Sequence, residues 1–197
     1  MTQTMNIWIF KADANHRLAI RTDIEYFQDH FVAKPLANHW NPPPIRVLNK
    51  SLPVRDFVSW MMSAPVISER ARGALEHLFS GHCEILPLIE LRRKLYYAVN
   101  VLTTVNCLDE EKSDICYAID DPGYILSIRR YHLRNEMIPS GVSIFKIPQD
   151  VGTVFVTKTF VESARVNQLR GGILLDPTVG IFEGLIRPEL NLVPDLP

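Results

Sequence analysis

Cys83 lies beside His82, with His77 five residues before that histidine, and no other side chains in the chain come nearer to a local metal site. A structural zinc asks for four donors in a tetrahedral array. Neither a Cys-x-x-Cys nor a His-x-x-x-His pair is present to begin one. Nucleophilic chemistry has equally little to start from. Ser59 and Ser63 have no base at a telling spacing, and no Gly-x-Ser-x-Gly elbow occurs. Ser68 is better placed to cap a helix, and Cys107, at the end of an apolar run, reads as a core thiol. A site assembled from residues distant in sequence stays open.

Carboxylates are the one concentrated chemical resource. Asp109, Glu110, Glu111 and Asp114 fall within a polar interruption of the apolar pattern. Acid/base catalysis would need two of them in unlike environments. A turn instead lets them share bulk water, or meet a basic surface on a partner. Nucleotide signatures are missing, since Gly171-Gly172 follows a helix and lacks the lysine-bearing geometry of a phosphate loop. Arg129-Arg130 with Tyr131, His132 and Arg134 forms a short basic and aromatic run, but strand alternation would put the two arginines on opposite faces. No catalytic group, metal or cofactor is expected.

Those residues have to be positioned by 197 residues that are 47% hydrophobic and 22% charged, enough to build a core and too apolar for widespread disorder. The formal charge is −1, which gives no global pull toward nucleic acid. Residues 1–100 hold 12 basic and 9 acidic groups, and residues 101–197 hold 9 and 13, so the second half is the acidic one. Three scattered cysteines suit a reducing compartment. With no secretory leader and no run of about 20 apolar residues, a cytoplasmic location off the membrane is expected.

The elements read as α+β: one domain with a mainly antiparallel sheet packed against a few helices. Asn6–Phe10, Ile45–Leu48, Cys83–Leu91, Ile115–Ile119, Tyr124–Leu133, Val142–Ile147, Gly152–Val156 and Ile173–Leu175 are expected strands. The strongest runs from Leu95 to Val105, with Tyr97, Val99, Val101, Thr103 and Val105 on one face. Ser68 to Phe79 is the clearest helix, with Ala71, Leu75, Leu78 and Phe79 in one stripe, Ser68 as cap and Gly81 at the stop. Asp56–Met62 reads as a short helix and Lys158–Arg170 as a longer one. Leu18, Ile20, Ile24, Phe27 and Phe31 would form an irregular helical face. Asn41-Pro-Pro-Pro44 is an extended connector and Asp120-Asp-Pro-Gly123 a turn. Residues 1–50 are the less certain portion, and 176–197 would wrap the body or fray.

Several of these pieces, taken in order, resemble a known family. Val66-Ile-Ser-Glu-Arg-Ala-Arg-Gly-Ala-Leu75 precedes Glu84-Ile-Leu-Pro87 and Leu95-Tyr-Tyr-Ala-Val-Asn-Val-Leu102. Val105-Asn-Cys-Leu-Asp-Glu-Glu-Lys-Ser113, Ile144-Phe-Lys-Ile147, Val154-Phe-Val-Thr157 and Leu169-Arg-Gly-Gly-Ile173 follow. Over residues 50–175 this order resembles a bacterial polymorphic-toxin immunity family, formerly a domain of unknown function. The resemblance implies a cytoplasmic antidote in bacterial competition, which binds a cognate toxin encoded nearby and neutralises it without turnover. It carries over no catalytic or contact residue. An enzyme built from remote residues and a general adaptor or scaffold are the alternatives. For partner binding the sequence offers Asp109, Glu110, Glu111 and Asp114, together with Trp40 beside the proline run. Tyr97 and Trp60 are expected in the core.

Overall fold

Alternation in the central strands decides the architecture. The computed structural model describes residues 7–12, 18–20, 30–43, 45–47, 53, 55–60, 64–91, 93–179 and 190–191. β1 (Ile7–Ala12) lies at the middle of a five-stranded sheet, between β11 (Asp150–Thr157) and β12 (Gly172–Leu175). β10 (Ile144–Ile147) and β13 (Leu190–Asn191) form its edges, and every pairing is antiparallel. A second antiparallel sheet has the order β4 (Phe57–Val58), β5 (Val66–Ser68), β7 (Lys94–Val101), β6 (Cys83–Leu91). Two further hairpins pair β2 (Leu18–Ile20) with β3 (Ile45–Val47), and β8 (Asp114–Tyr117) with β9 (Ile125–Arg130). The whole is α+β with antiparallel sheets and few helices, as the sequence led us to expect.

Each strand sends alternate side chains to opposite faces. Phe10, Tyr97, Val99, Val101, Val154 and Val156 join one apolar cluster under the helices α1 (Glu69–Phe79) and α2 (Lys158–Val166). Ile7, Ile9 and Phe155 turn the other way, into a cluster closed by the β8–β9 hairpin. Val66, Tyr96 and Ala98 turn into a third, with Phe31 and Trp60. Tyr97 and Trp60 are both buried core residues, as expected.

α1 forms as its sequence predicts. The Ser68 hydroxyl accepts from the Ala71 amide at 3.2 Å, and Ala71, Leu75, Leu78 and Phe79 are the buried stripe. The chain leaves through Gly81 at φ +76°, a left-handed conformation glycine adopts without strain.

Four expectations need correction. Asp56–Met62 does not open as a helix: Phe57 and Val58 pair with Ile67 and Val66 as β4, and Met61 and Met62 lie outside the described residues. The cause is tertiary, since the Asp56 and Phe57 amides both donate to the Arg170 carbonyl. Leu18 and Ile20 belong to β2, and Phe31 sits in a bend at φ +62°, so they share no helical face. Ile24 and Phe27 lie outside the described residues. β7 ends at Val101, and Val105 packs into the cluster on the other side of the first sheet instead of continuing the Tyr97 face. α2 stops at Val166, because Gln168 at φ +53° and Gly171 at φ +91° turn the chain back into β12. Leu169 still reaches the core, its amide donating to Ala164 at 3.0 Å. Of the tail, Pro177 accepts from the Tyr131 amide and Leu190–Asn191 extend the sheet edge.

Candidate partner-binding surface

The acidic turn sits at the root of the β8–β9 hairpin, and its backbone explains why it is ordered. The Asp109 amide donates to the His132 carbonyl at 2.8 Å, and the Ser113 hydroxyl closes the turn on the Asp109 carbonyl at 2.7 Å. Ser113 also accepts from the His132 amide, and Arg134 donates to the Leu108 carbonyl. Leu108 and Leu133 make a bridge at this level, and Ile128 is buried just above it. The hairpin is therefore rooted in the core beneath it.

The four carboxylates are not equivalent. Asp109 pairs with Lys112 at 2.8 Å, and the hydrogen bond from that ammonium holds the Asp109 carboxyl below its usual range. Asp114 pairs with Arg130 across the hairpin at 3.3 Å. Glu110 accepts from the Gln149 amide at 2.9 Å, and Glu111 is exposed. Pairs this open to water contribute little stability. Arg129 and Arg130 are both exposed, and Arg130 is committed to Asp114.

Trp40 belongs to a different part of the molecule. Residues 30–43 run as a strap over the second sheet, where Trp40 stacks edge-on to Phe31 at 5.9 Å and its indole N–H donates to the Pro87 carbonyl at 2.7 Å. Glu84 accepts from the Leu36 and Ala37 amides at 2.7 and 3.2 Å, and the fully buried Asn100 donates to the Lys34 carbonyl at 2.8 Å. Lys146 completes the strap by donating to the Phe31 carbonyl, and at 2.7 Å to that of Val151. The structure thus brings the four carboxylates together and leaves Trp40 with another apolar cluster.

Lys146 is a residue that the sequence did not single out, since it reads there as one polar position in a β-prone run. It is fully buried, and desolvation pulls its ammonium down to about 8 from an ordinary 10.5. Between those values the unfolded chain holds the proton that the folded chain has released, so this group's contribution to stability rises with pH across the window and is lost below it. The Cys83 thiol, pushed by burial up to about 12 from 9.0, acts in the opposite sense above pH 9. The Lys146 effect is therefore read as a difference. In urea unfolding, the stability gap between wild type and Lys146→Met is expected to move in favour of wild type from pH 7 to pH 9. A gap that stays constant would show that Lys146 does not titrate in that range.

Cys107 is fully buried and its thiol is pushed up to about 11 by desolvation, which suits a core residue better than a nucleophile. Cys83, Cys107 and Cys116 are all free. His82, the nearest thing to a metal donor in the sequence, shares a hydrogen bond with the Thr103 hydroxyl at 2.8 Å. Among the described residues no group of three His, Cys, Asp or Glu could hold a metal ion, and no helix is long and apolar enough to cross a membrane.

The hairpin's far end carries a feature that its sequence pattern does not announce. Tyr117, Ile119, Tyr124 and Leu126 are exposed there, although they read in sequence as ordinary strand and turn positions. Apolar alternation announces a strand but does not say which face another element will cover.

The molecule is an antiparallel α+β protein with a rooted, acidic hairpin whose tip is apolar. Residues 38–176, well over half of the chain, match the model of an immunity protein family, Imm11, and the chain belongs to that family. No curated protein matches it.

Proposed function

We propose that this protein is a cytoplasmic antidote that binds one cognate toxin stoichiometrically and neutralises it without turnover. The observation that carries this reading is membership of the Imm11 immunity family across residues 38–176. The chemistry of the described residues agrees with it. The buried Lys146 has committed its protons to the Phe31 and Val151 carbonyls, and the thiols of Cys83 and Cys107 are shifted away from the reactive thiolate. The carboxylates at Asp109, Glu110, Glu111 and Asp114 are assigned to electrostatic complementarity with a basic toxin surface. The half-buried ring of Trp40 is a second, separate candidate contact on the strap.

Co-expression with the product of the neighbouring open reading frame tests the role directly. Cells expressing that product alone should stop growing, and the full chain should restore growth in proportion to its amount. Growth arrest that persists at excess antidote would refute the assignment for that pair. A catalytic antidote, by contrast, would rescue when present far below the amount of toxin.

A further inference from the structure

Four large apolar side chains are exposed within residues 117–126, at one end of one hairpin. Ile119 is 97% exposed, Tyr124 59%, Leu126 58% and Tyr117 39%. Single exposed apolar residues need no explanation, whereas a concentration of them marks an interaction surface. The same hairpin turns Ile115, Ile125 and Ile128 toward the core, so the inward side is already occupied and the exposed set is additional to it.

The tip is held in shape without a partner. The Ala118 amide donates to the Tyr124 carbonyl at 2.9 Å, the Tyr124 amide to the Asp121 carbonyl at 2.9 Å, and the Gly123 amide to the Asp121 carboxylate at 3.0 Å. Docking such a tip orders little backbone, which favours tight binding. At the tip itself the charge has one sign: Asp120 and Asp121 adjoin Ile119, no ion pair among the described residues neutralises either, and the hairpin's basic groups, Lys112, Arg129 and Arg130, lie at its root end.

We infer that the β8–β9 hairpin tip is the element that enters the toxin, seating Ile119, Tyr124 and Leu126 in an apolar cleft with a basic rim. The inference rests on the immunity reading above and gives it a location. Other occupants fit the charge poorly. A second copy would bring Asp120 and Asp121 against their own kind across a two-fold interface, and an anionic lipid surface or a nucleic acid would repel them.

The test uses the full chain and the purified product of the neighbouring open reading frame, with Ile119→Asp, Leu126→Asp and Asp120→Lys compared against Val166→Asp. Val166 is 81% exposed on α2, so it controls for adding a surface charge. Because Ile119 makes almost no contact with the rest of the fold, its variant should unfold at the wild-type midpoint. The expected result is a loss of at least about 30-fold in affinity for Ile119→Asp and Leu126→Asp, as for a central apolar anchor. Asp120→Lys should slow association at low salt, and Val166→Asp should bind as wild type does. Wild-type binding retained by both apolar variants would overturn the hairpin assignment and leave the immunity role standing. A wild-type chain that fails to bind would remove both. Loss of self-association in the variants, with toxin binding unchanged, would make the tip a contact between copies and also overturn the inference.

Discussion

Asp56→Ala is expected to destabilise the protein by about 2–4 kcal/mol, since it strips the acceptor from two donors at a largely buried joint. Asp56 is 8% exposed and its carboxylate joins three elements. One oxygen accepts from the Ser68 hydroxyl at 2.9 Å and Arg70 Nε at 3.0 Å, and the other from Arg70 Nη2 at 2.5 Å and the Arg170 amide at 3.0 Å. Burial pushes this carboxyl up, but the bonds from Arg70, Arg170 and Ser68 outweigh it and hold the group below its ordinary 3.8. Its stabilising effect is thus complete above the unfolded value and is lost as pH falls through the lower, folded one. Alanine leaves the Ser68 hydroxyl and the Arg170 amide without that acceptor. Arg70 is half exposed and still reaches the Asn167 and Gln168 carbonyls, which keeps the cost from rising further. Urea unfolding at neutral pH measures the loss. A change below about 1 kcal/mol would mean that the network contributes no more than an average surface pair.

Gly171→Ala should cost about 2–4 kcal/mol, through the backbone rather than through charge. Gly171 has φ +91°, where an L side chain is strained, and an added Cβ would stand 2.4 Å from the Phe57 carbonyl oxygen and 2.8 Å from Arg55 Cβ. The Phe57 carbonyl cannot withdraw easily, because Phe57 is fully buried and its amide is bonded to the Arg170 carbonyl. The same displacement would pull the Arg170 amide from Asp56. The double variant is accordingly expected to lose less than the sum of the two single losses, since both break one joint. Full additivity in urea unfolding would show that the contacts around Gly171 and Asp56 act separately.

That joint marks where sequence reading stops. Ser68 as a cap, the stripe at Ala71, Leu75, Leu78 and Phe79, and Tyr97, Val99 and Val101 on one face were all legible, because each follows from neighbours within a turn or a strand. Asp56 has the local pattern of a helix start, but the groups that fix its conformation lie as far away as Arg170. Lys146 was illegible for the same reason, its partner being the carbonyl of Phe31. At the site, the acidic turn is visible in the sequence as a cluster, but the pairing of Asp114 with Arg130 depends on the hairpin register, and that of Asp109 with Lys112 on the turn's geometry. The exposed tip was invisible for a different reason: Ile119, Tyr124 and Leu126 have the pattern of covered strand residues, and only the fold shows that nothing described covers them.

Neutralisation by stoichiometric binding has a direct experimental signature. Isothermal titration of the full chain into the purified product of the neighbouring open reading frame, with toxin activity followed in the same samples, tests it most directly. The expected result is one chain bound per toxin, submicromolar affinity, and toxin activity that falls linearly to zero at the equivalence point. Activity that continues past equivalence, or that disappears at a small fraction of it, would rule out stoichiometric neutralisation.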